Sequence, residues 1–371
     1  MQYRILGRTG LQVSAISLGT EHLLEQPRER AIGVIRAAIE QGINYFDVFW
    51  AQPQFRDTMG AAFQGHRDRI TLAAHLGATV EDGQGARTRD PQLAAQFFHE
   101  FLTRYHTDHT DILMLHNCDE QADYDAIMRP DGLADLADRF RREGKARFIG
   151  FSGHTVATAL QAVQSGRIDL LMFPINLAGH AVPGKKELLD ACTALNVALV
   201  AMKPYAGGML FIKEREMNMN IWTSGGGDYK LEKPSAITPV QCLSYVLAQA
   251  GVSIALPGCR TLDELDGALA YWRATEEEKD FAPLLAGFQQ YVTGECVYCN
   301  HCLPCPSHID IGQTIRLYEQ SRRHPTDQVQ AAYRAMLTNA SDCIQCGDCE
   351  TRCPFGVSVI EKMEQAAQLF A

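Results

Sequence analysis

Apolar and polar positions follow each other in blocks along the first three quarters of the chain. Eight short runs are almost continuously apolar: Ile16–Thr20, Asn44–Phe49, Ile70–Leu76, Asp111–His116, Phe148–Ser152, Leu170–Asn176, Ala198–Lys203 and Ser253–Pro257. Continuity rather than alternation predicts strands covered on both faces, as in a parallel sheet. Helical patterns fill most of the gaps. Arg28–Gln41 puts Ile32, Ile35, Ala38 and Ile39 at helical spacing. Asp90-Pro91 reads as the cap and first turn of a helix reaching Tyr105. Leu133–Glu143 stops at Gly144. Eight strands separated by helices predict an α/β chain folded as a (β/α)₈ TIM barrel, with an open doubly wound sheet as the alternative. Tyr3–Ile5 and Leu11–Ser14 flank a turn containing Arg8-Thr9-Gly10, which predicts a hairpin closing one end of the barrel. Phe211–Ile237 carries Gly225-Gly226-Gly227 and lacks periodicity. It is expected to be a loop over the barrel mouth or against a second domain.

Composition adds limits. The chain has 371 residues, 46% of them apolar and 21% charged, which is ordinary for a folded protein. With 34 basic and 44 acidic residues its net charge is −10. That balance argues against nucleic acid or an anionic membrane as partner. The start has no basic segment followed by a long apolar one, and no apolar run is long enough to span a membrane. A cytoplasmic location is expected, where thiols stay reduced.

Of the twelve cysteines, eight fall between Cys296 and Cys353. Residues 275–295 read as a helical connector, and the abrupt change at Cys296 places a boundary near Gln290. The expected parts are residues 1–290, the barrel, and 291–371. The second part reads Cys296-x₂-Cys299-x₂-Cys302-x₂-Cys305-Pro306, then Cys343-x₂-Cys346-x₂-Cys349-x₃-Cys353-Pro354. Three cysteines at this spacing can be presented by one tight turn, with a fourth from elsewhere completing a [4Fe–4S] site. The alternative is a pair of Cys₄ zinc sites, which usually show paired C-x₂-C units. The two runs resemble a bacterial two-cluster ferredoxin, the first departing from that pattern by its short spacer before Cys305. The resemblance implies one cluster on Cys296, Cys299, Cys302 and Cys353. It implies a second on Cys343, Cys346, Cys349 and Cys305. Helices over Gln313–Ser321 and Asp327–Leu337 would make this part mainly helical. Cys118, Cys192, Cys242 and Cys259 are scattered and read as small buried hydrophobes.

Chemistry in a (β/α)₈ barrel sits at the C-terminal ends of the strands. Those ends carry Glu21 and His22, Asp47, His75, His116, Ser152 with His154, Asn176, Lys203 with Tyr205, and Gly258 with Arg260. Asp47, His75 and His116 are expected to share a site. The runs Tyr3–Ser14, Leu18-Gly19-Thr20, Asn44-Tyr45-Phe46-Asp47, Asp111–His116, Ile149-Gly150-Phe151-Ser152 and Pro257-Gly258-Cys259-Arg260 occur in the order found in aldo-keto reductases. Over roughly residues 1–275 the chain resembles that family. Met202-Lys203-Pro204-Tyr205-Ala206-Gly207-Gly208 and the cysteine-rich end look like the branch fused to iron–sulfur modules. The family uses Asp, Tyr, Lys and His at the mouth, with tyrosine as proton donor to a carbonyl. Asp47 and His116 match. Gln52 stands at the tyrosine position and His75 at the lysine position. Gln52 can orient a carbonyl but has no readily dissociable proton. An Asp47–His75 pair can supply one instead, unless the site has lost this chemistry. By the same resemblance Ser152 and Asn176 lie near a nicotinamide. Gly258 and Arg260 lie near an adenosine phosphate, and Lys203 is placed in the same cleft. Arg260 has the planar fork that suits a phosphate, or is a solvated charge. Met172 and Gly267-Ala268 replace other cofactor contacts of the family, so NADP(H) remains a possible cofactor.

Three functions compete. The first is an iron–sulfur oxidoreductase acting on a small organic, carbonyl-type molecule, with electrons relayed through two [4Fe–4S] clusters and exchanged with an electron-carrier protein or NADPH. The second is NADPH-dependent hydride transfer with structural clusters. The third is a non-catalytic electron-relay subunit.

Overall fold

The eight apolar runs form the eight strands of one parallel sheet: Leu18–Gly19, Tyr45–Val48, Thr71–Leu76, Thr110–Leu115, Ala146–Ser152, Leu170–Pro174, Ala198–Met202 and Val252–Leu256. They pair in chain order, and the parallel bridges Ile16–Ala255 and Gly19–Gly258 join the eighth strand to the first. The open-sheet alternative is thereby excluded. The structure is a computed structural model and describes residues 1–288, 294, 296, 298, 300, 302–353 and 355–371.

Side chains alternate across each strand. Tyr45, Ala73, Ile112, Met114, Leu170 and Val200 fill the inside of the barrel. Their neighbours Phe46, Leu72, Leu113, Leu171 and Leu199 face the helices outside. The hairpin of Tyr3–Ile5 and Gln12–Ser14 forms as expected and inserts Leu6 and Val13 into the interior cluster. Arg4 ties it down by donating to the Val252 carbonyl at 2.8 Å. This plugs the end opposite the mouth. Gly7, at φ 48°, lies so close to the seventh strand that a Cβ would meet the Ala198 nitrogen at 2.6 Å.

The expected helices appear at Arg28–Glu40, Pro91–Arg104 and Leu133–Arg142. Asp90 caps the second of them, accepting from the Gln92 nitrogen at 2.7 Å. Two hairpins were not expected. One, Ala78–Glu81 with Gln84–Arg87, follows the third strand directly. Its Gly85 seats the Trp50 ring, where a Cβ would come within 2.4 Å. The other, Glu216–Met219 with Tyr229–Glu232, corrects the expectation of an irregular loop over Phe211–Ile237. Met217, Met219 and Leu231 bury one face of it, so two-residue alternation was present but brief. Asn220 and Thr223 form a reciprocal cap on the short helix Ile221–Ser224 between its strands.

The connector contains the helices Glu276–Lys279 and Ala282–Gly287. The expected boundary at Gln290 lies outside the described residues. Beyond it come the helices Ile311–Arg323, Asp327–Arg334, Asp348–Arg352 and Val359–Leu369. The first of these docks on the barrel. Arg316 donates to the Ala248 carbonyl at 2.6 Å, and Arg323 pairs with the buried Asp190 at 2.5 Å. Glu319 accepts from the Tyr298 hydroxyl at 2.6 Å and from Lys362 at 3.0 Å, and also pairs with Lys186 of the barrel helix Lys185–Ala194. Burial pushes the Glu319 carboxyl up, but these cations and the hydroxyl outweigh it and hold it below the usual range. Among the described residues no helix is long and apolar enough to cross a membrane.

Candidate active site and cysteine cluster

The strand register sets the geometry of the mouth. Asp47 lies opposite Ala73, two residues before His75. His75 in turn lies opposite Met114, two residues before His116. Two residues is one pleat, so all three side chains point inward and each sits one step nearer the mouth than the last. The result is a hydrogen-bonded chain. His75 Nε2 is 2.8 Å from Asp47 Oδ1, and His75 Nδ1 is 2.8 Å from His116 Nδ1. His75 and His116 meet edge to face, with Phe49 stacked on His116 at 5.8 Å between centroids. Arg89 fixes the end of the fourth strand by donating to the carbonyls of His116 and Asn117 at 2.8 and 2.7 Å. Burial, then the charges of His75, Arg89 and Arg87, hold the His116 imidazole well below its usual pKa.

These atoms define what can move. An ionised Asp47 accepts from His75 Nε2–H. If His75 is neutral, its Nδ1 accepts from His116 Nδ1–H, and His116 Nε2 is a bare acceptor. If His75 carries a second proton, it donates to His116 Nδ1, and His116 Nε2 bears the hydrogen. His116 stays neutral in both states, in keeping with its lowered pKa.

All three groups line a cavity of about 960 Å³ at the mouth, walled by Phe49, Trp50, Tyr205, Phe211 and Trp222. Ser152, Lys203, Gly258 and Arg260 line it too. Two of the expected residues are placed elsewhere. Gln52 precedes the helix Pro53–Phe63 and is not among the cavity-lining residues; its Oε1 is buried without a partner among the described residues. Asn176 is fully buried behind the wall. Its amide donates to the carbonyls of Lys203 and Thr223 at 2.9 and 2.7 Å, and its oxygen accepts from the Gly179 nitrogen at 3.0 Å. It therefore staples the loops that carry Lys203 and Trp222. Lys203 needs such a hold, having a left-handed φ of 54°.

A second chain stands beside the first and was only half visible in the sequence. His154 Nδ1 is 3.2 Å from both carboxylate oxygens of Asp119, and its Nε2 is 3.4 Å from Lys203 Nζ. Trp222 meets the His154 ring edge to face at 4.6 Å. Gly153 lets this turn close, since a Cβ there would come within 2.5 Å of the Cys118 carbonyl. Burial pushes Asp119 up, but its hydrogen bonds with His154 prevail and leave it below its usual value. Burial lowers His154 and Lys203, each against opposing carboxylates. Asp119 and Trp222 carried no local signal beyond lying near strand ends or in the long loop.

At the far end of the cavity Arg260 is engaged. Its backbone N–H donates to Glu264 Oε2 at 2.7 Å, and its guanidinium donates to Glu264 Oε1 at 3.0 Å. The spacing of four residues at a helix start was the available signal. Asp263 and Glu264 both line this end. Two carboxylates beside one already paired arginine disfavour a further phosphate. Asn176, whose amide hydrogens are both taken by the protein, has none left for a nicotinamide.

Thiols gather at the C-terminal end. Cys305, Cys343, Cys346 and Cys349 line one small cavity, rimmed by Ile309, Val359 and Met363. The loop turns through left-handed conformations at Gln345 and Gly347. The chemistry of an all-thiol donor set in an apolar rim suits an iron–sulfur cluster, although no three described metal-ligating side chains stand close enough together to hold a metal ion. Cys296, Cys302 and Cys353 are part-buried and packed on the core. Cys299 and Pro354 lie outside the described residues. Cys118, Cys192, Cys242 and Cys259 are all buried, and burial pushes the Cys118 and Cys259 thiols up to about 12. They pack rather than react.

Comparison with known proteins agrees with this architecture. Residues 15–284 match the aldo/keto reductase family, and residues 295–358 match the 4Fe-4S dicluster domain. The oxidoreductase YqkF of Bacillus subtilis is 26% identical over 298 residues, covering 75% of this chain and 94% of that protein. L-galactose dehydrogenase of Arabidopsis thaliana is 25% identical over 299 residues, covering 73% of this chain and 88% of that protein. An aldo-keto reductase from Bacillus halodurans, solved in its holo form, shares the barrel fold with a TM-score of 0.63. It is 22% identical, and the match covers 77% of this chain and 96% of that one.

Proposed function

This chain belongs to the aldo-keto reductase family, an oxidoreductase barrel here joined to a 4Fe-4S dicluster domain, and on that premise we propose how it works. Residues 1–290 bind a small carbonyl-type compound at the barrel mouth. Residues 291–371 hold two [4Fe–4S] clusters through the eight cysteines, and a separate electron-carrier protein meets them. The reducing conditions of the cytoplasm suit these thiols. The clusters supply or accept electrons one at a time.

The hydrogen-bonded chain of Asp47, His75 and His116 carries the reading. It offers a proton source at a mouth where Gln52 replaces the family's tyrosine. Reduction of a carbonyl to an alcohol takes two electrons and two protons: His116 Nε2–H gives the proton for oxygen, water gives the one for carbon, and His75 refills His116 Nδ1. Asp47 stabilises the positive charge on His75 until that transfer. In the oxidising direction the same steps run backwards. His116 is the catalytic residue, while His75 and Asp47 position and recharge it. Hydride transfer from NADPH is less favoured, because Asn176 and Arg260 are already engaged within the protein.

The test uses anaerobic holoprotein whose clusters are reduced with dithionite and then mixed with a set of aldehydes and ketones. Cluster absorbance is followed. At least one carbonyl compound should reoxidise the clusters, and His75→Gln should slow this strongly. Clusters left reduced by every compound, with turnover driven by NADPH alone, would overturn the proposal.

A further inference from the structure

The second chain at the mouth ends in a cation without a counter-ion among the described residues. Among the described residues the only hydrogen-bond partner of Lys203 Nζ is His154 Nε2, at 3.4 Å. Asp119 accepts from His154 Nδ1–H, so a neutral His154 presents the lone pair of Nε2 to the ammonium. One donor of Lys203 is thus used, and two remain. Glu21 and Asp119 act on Lys203 at range, but no described carboxylate comes within ion-pair distance of Nζ. Trp222 lies under the ammonium at 5.9 Å from the ring centroid, and it is 40% exposed at the rim of the cavity. A desolvated ammonium with free donors, facing an aromatic-walled cavity, is complementary to an anion.

We propose that Lys203, with His154 and Trp222, forms a subsite that takes the carboxylate of the substrate. The position of the subsite favours this source. Asn117 N–H donates to Ser152 Oγ at 2.9 Å and ties the end of the fourth barrel strand to that of the fifth. His116 and His154 therefore lie on adjacent strand ends, facing one cavity. A carbonyl at His116 and a carboxylate at Lys203 describe an oxo-acid. A dinucleotide phosphate is the other oxyanion with access, but Glu264 and Asp263 crowd the arginine that would hold its far end. The subsite rests on the mouth being the substrate site, as proposed above, and adds what that substrate must carry.

Binding is measured by calorimetry on the holoprotein, with phenylpyruvate, its uncharged amide and inorganic pyrophosphate as probes. Phenylpyruvate should bind and the amide should bind at least about tenfold more weakly, as expected for losing a charge-assisted contact. Lys203→Met should remove that preference and Lys203→Arg should restore much of it. Trp222→Leu, at the exposed rim, tests the same contact with less demand on folding and should weaken phenylpyruvate several-fold. Equal binding of acid and amide overturns the subsite, as does phenylpyruvate binding unchanged in Lys203→Met. Tight pyrophosphate binding without phenylpyruvate binding also overturns it, by assigning Lys203 to a dinucleotide. Lys203-dependent binding without cluster reoxidation leaves the subsite standing and removes the electron-relay reading instead.

Discussion

Two chains of the same parts stand side by side at the barrel mouth. In each, a carboxylate orients a histidine, and the histidine contacts a third group lining the cavity. They differ in the third group. Asp47 and His75 end in His116, a ring that can hold its hydrogen on either nitrogen. Asp119 and His154 end in Lys203, whose nitrogen donates but does not accept while charged. The first arrangement can pass a proton through without leaving charge on the last member. The second presents a fixed positive charge and cannot pass a proton onward without losing it. A carboxylate–histidine pair thus has no function of its own. The group at its outer end decides between proton exchange and anion binding.

The largest effect that tests this contrast is Asp47→Asn. The amide keeps the shape but removes the charge that supports a proton on His75. Turnover should fall by about 10²–10⁴-fold, the range of general acid catalysis, with substrate affinity little changed. The pH profile sharpens the point. Reduction consumes the chain's extra proton, so activity in the reducing direction should fall as pH rises and that proton is lost; His116 itself, held low by burial, does not keep it. Without the Asp47 carboxylate that proton is lost more readily, so the fall should move to lower pH. A profile that keeps its midpoint in Asp47→Asn would show that the chain is not the acid.

Asp119→Asn should act more weakly and on a different constant. An asparagine amide can donate to His154 Nδ1, moving the histidine hydrogen to Nε2 and turning it against the Lys203 ammonium. KM for a carboxylate substrate should rise about three- to tenfold, the scale of a weakened charge-assisted hydrogen bond, while kcat holds. A loss in kcat with KM unchanged would erase the distinction between the two chains.

The first chain was legible in the sequence and the second was not, for a physical reason. Asp47, His75 and His116 each end a continuous apolar run, and such runs declare their strands. Parallel strands in a barrel bring their ends together, so three local observations were enough. The Asp119–His154 contact spans 35 residues, and its acid lies in a loop after the fourth strand. Trp222 sits between two short strands whose alternation covers only four residues each, too few to stand out. Asn176 ends a strand as His75 does, yet it faces the protein and serves three backbone groups. Strand ends mark candidates, and only packing separates those that face the cavity from those that hold its walls.

Gln52 gives the smallest expected effect and a direct check on that separation. Resemblance alone gives it the tyrosine position of the family and hence a place at the carbonyl. In the structure it starts a helix, with Pro53 after it, and Phe49, Trp50 and Ala51 line the cavity in its stead. If His116 delivers the proton, nothing is required of Gln52 at the reacting oxygen. Gln52→Ala should therefore leave kcat and KM close to wild type, and its main effect should be on thermal stability. The sign of that effect is informative. Gln52 Oε1 is buried without a described partner, so removing it also removes an unpaired acceptor, and stability should hold or rise slightly. A large loss of kcat in Gln52→Ala would mean that this segment moves to bring the amide to the substrate. The Asp47–His75–His116 chain would then be only part of the machinery at the mouth.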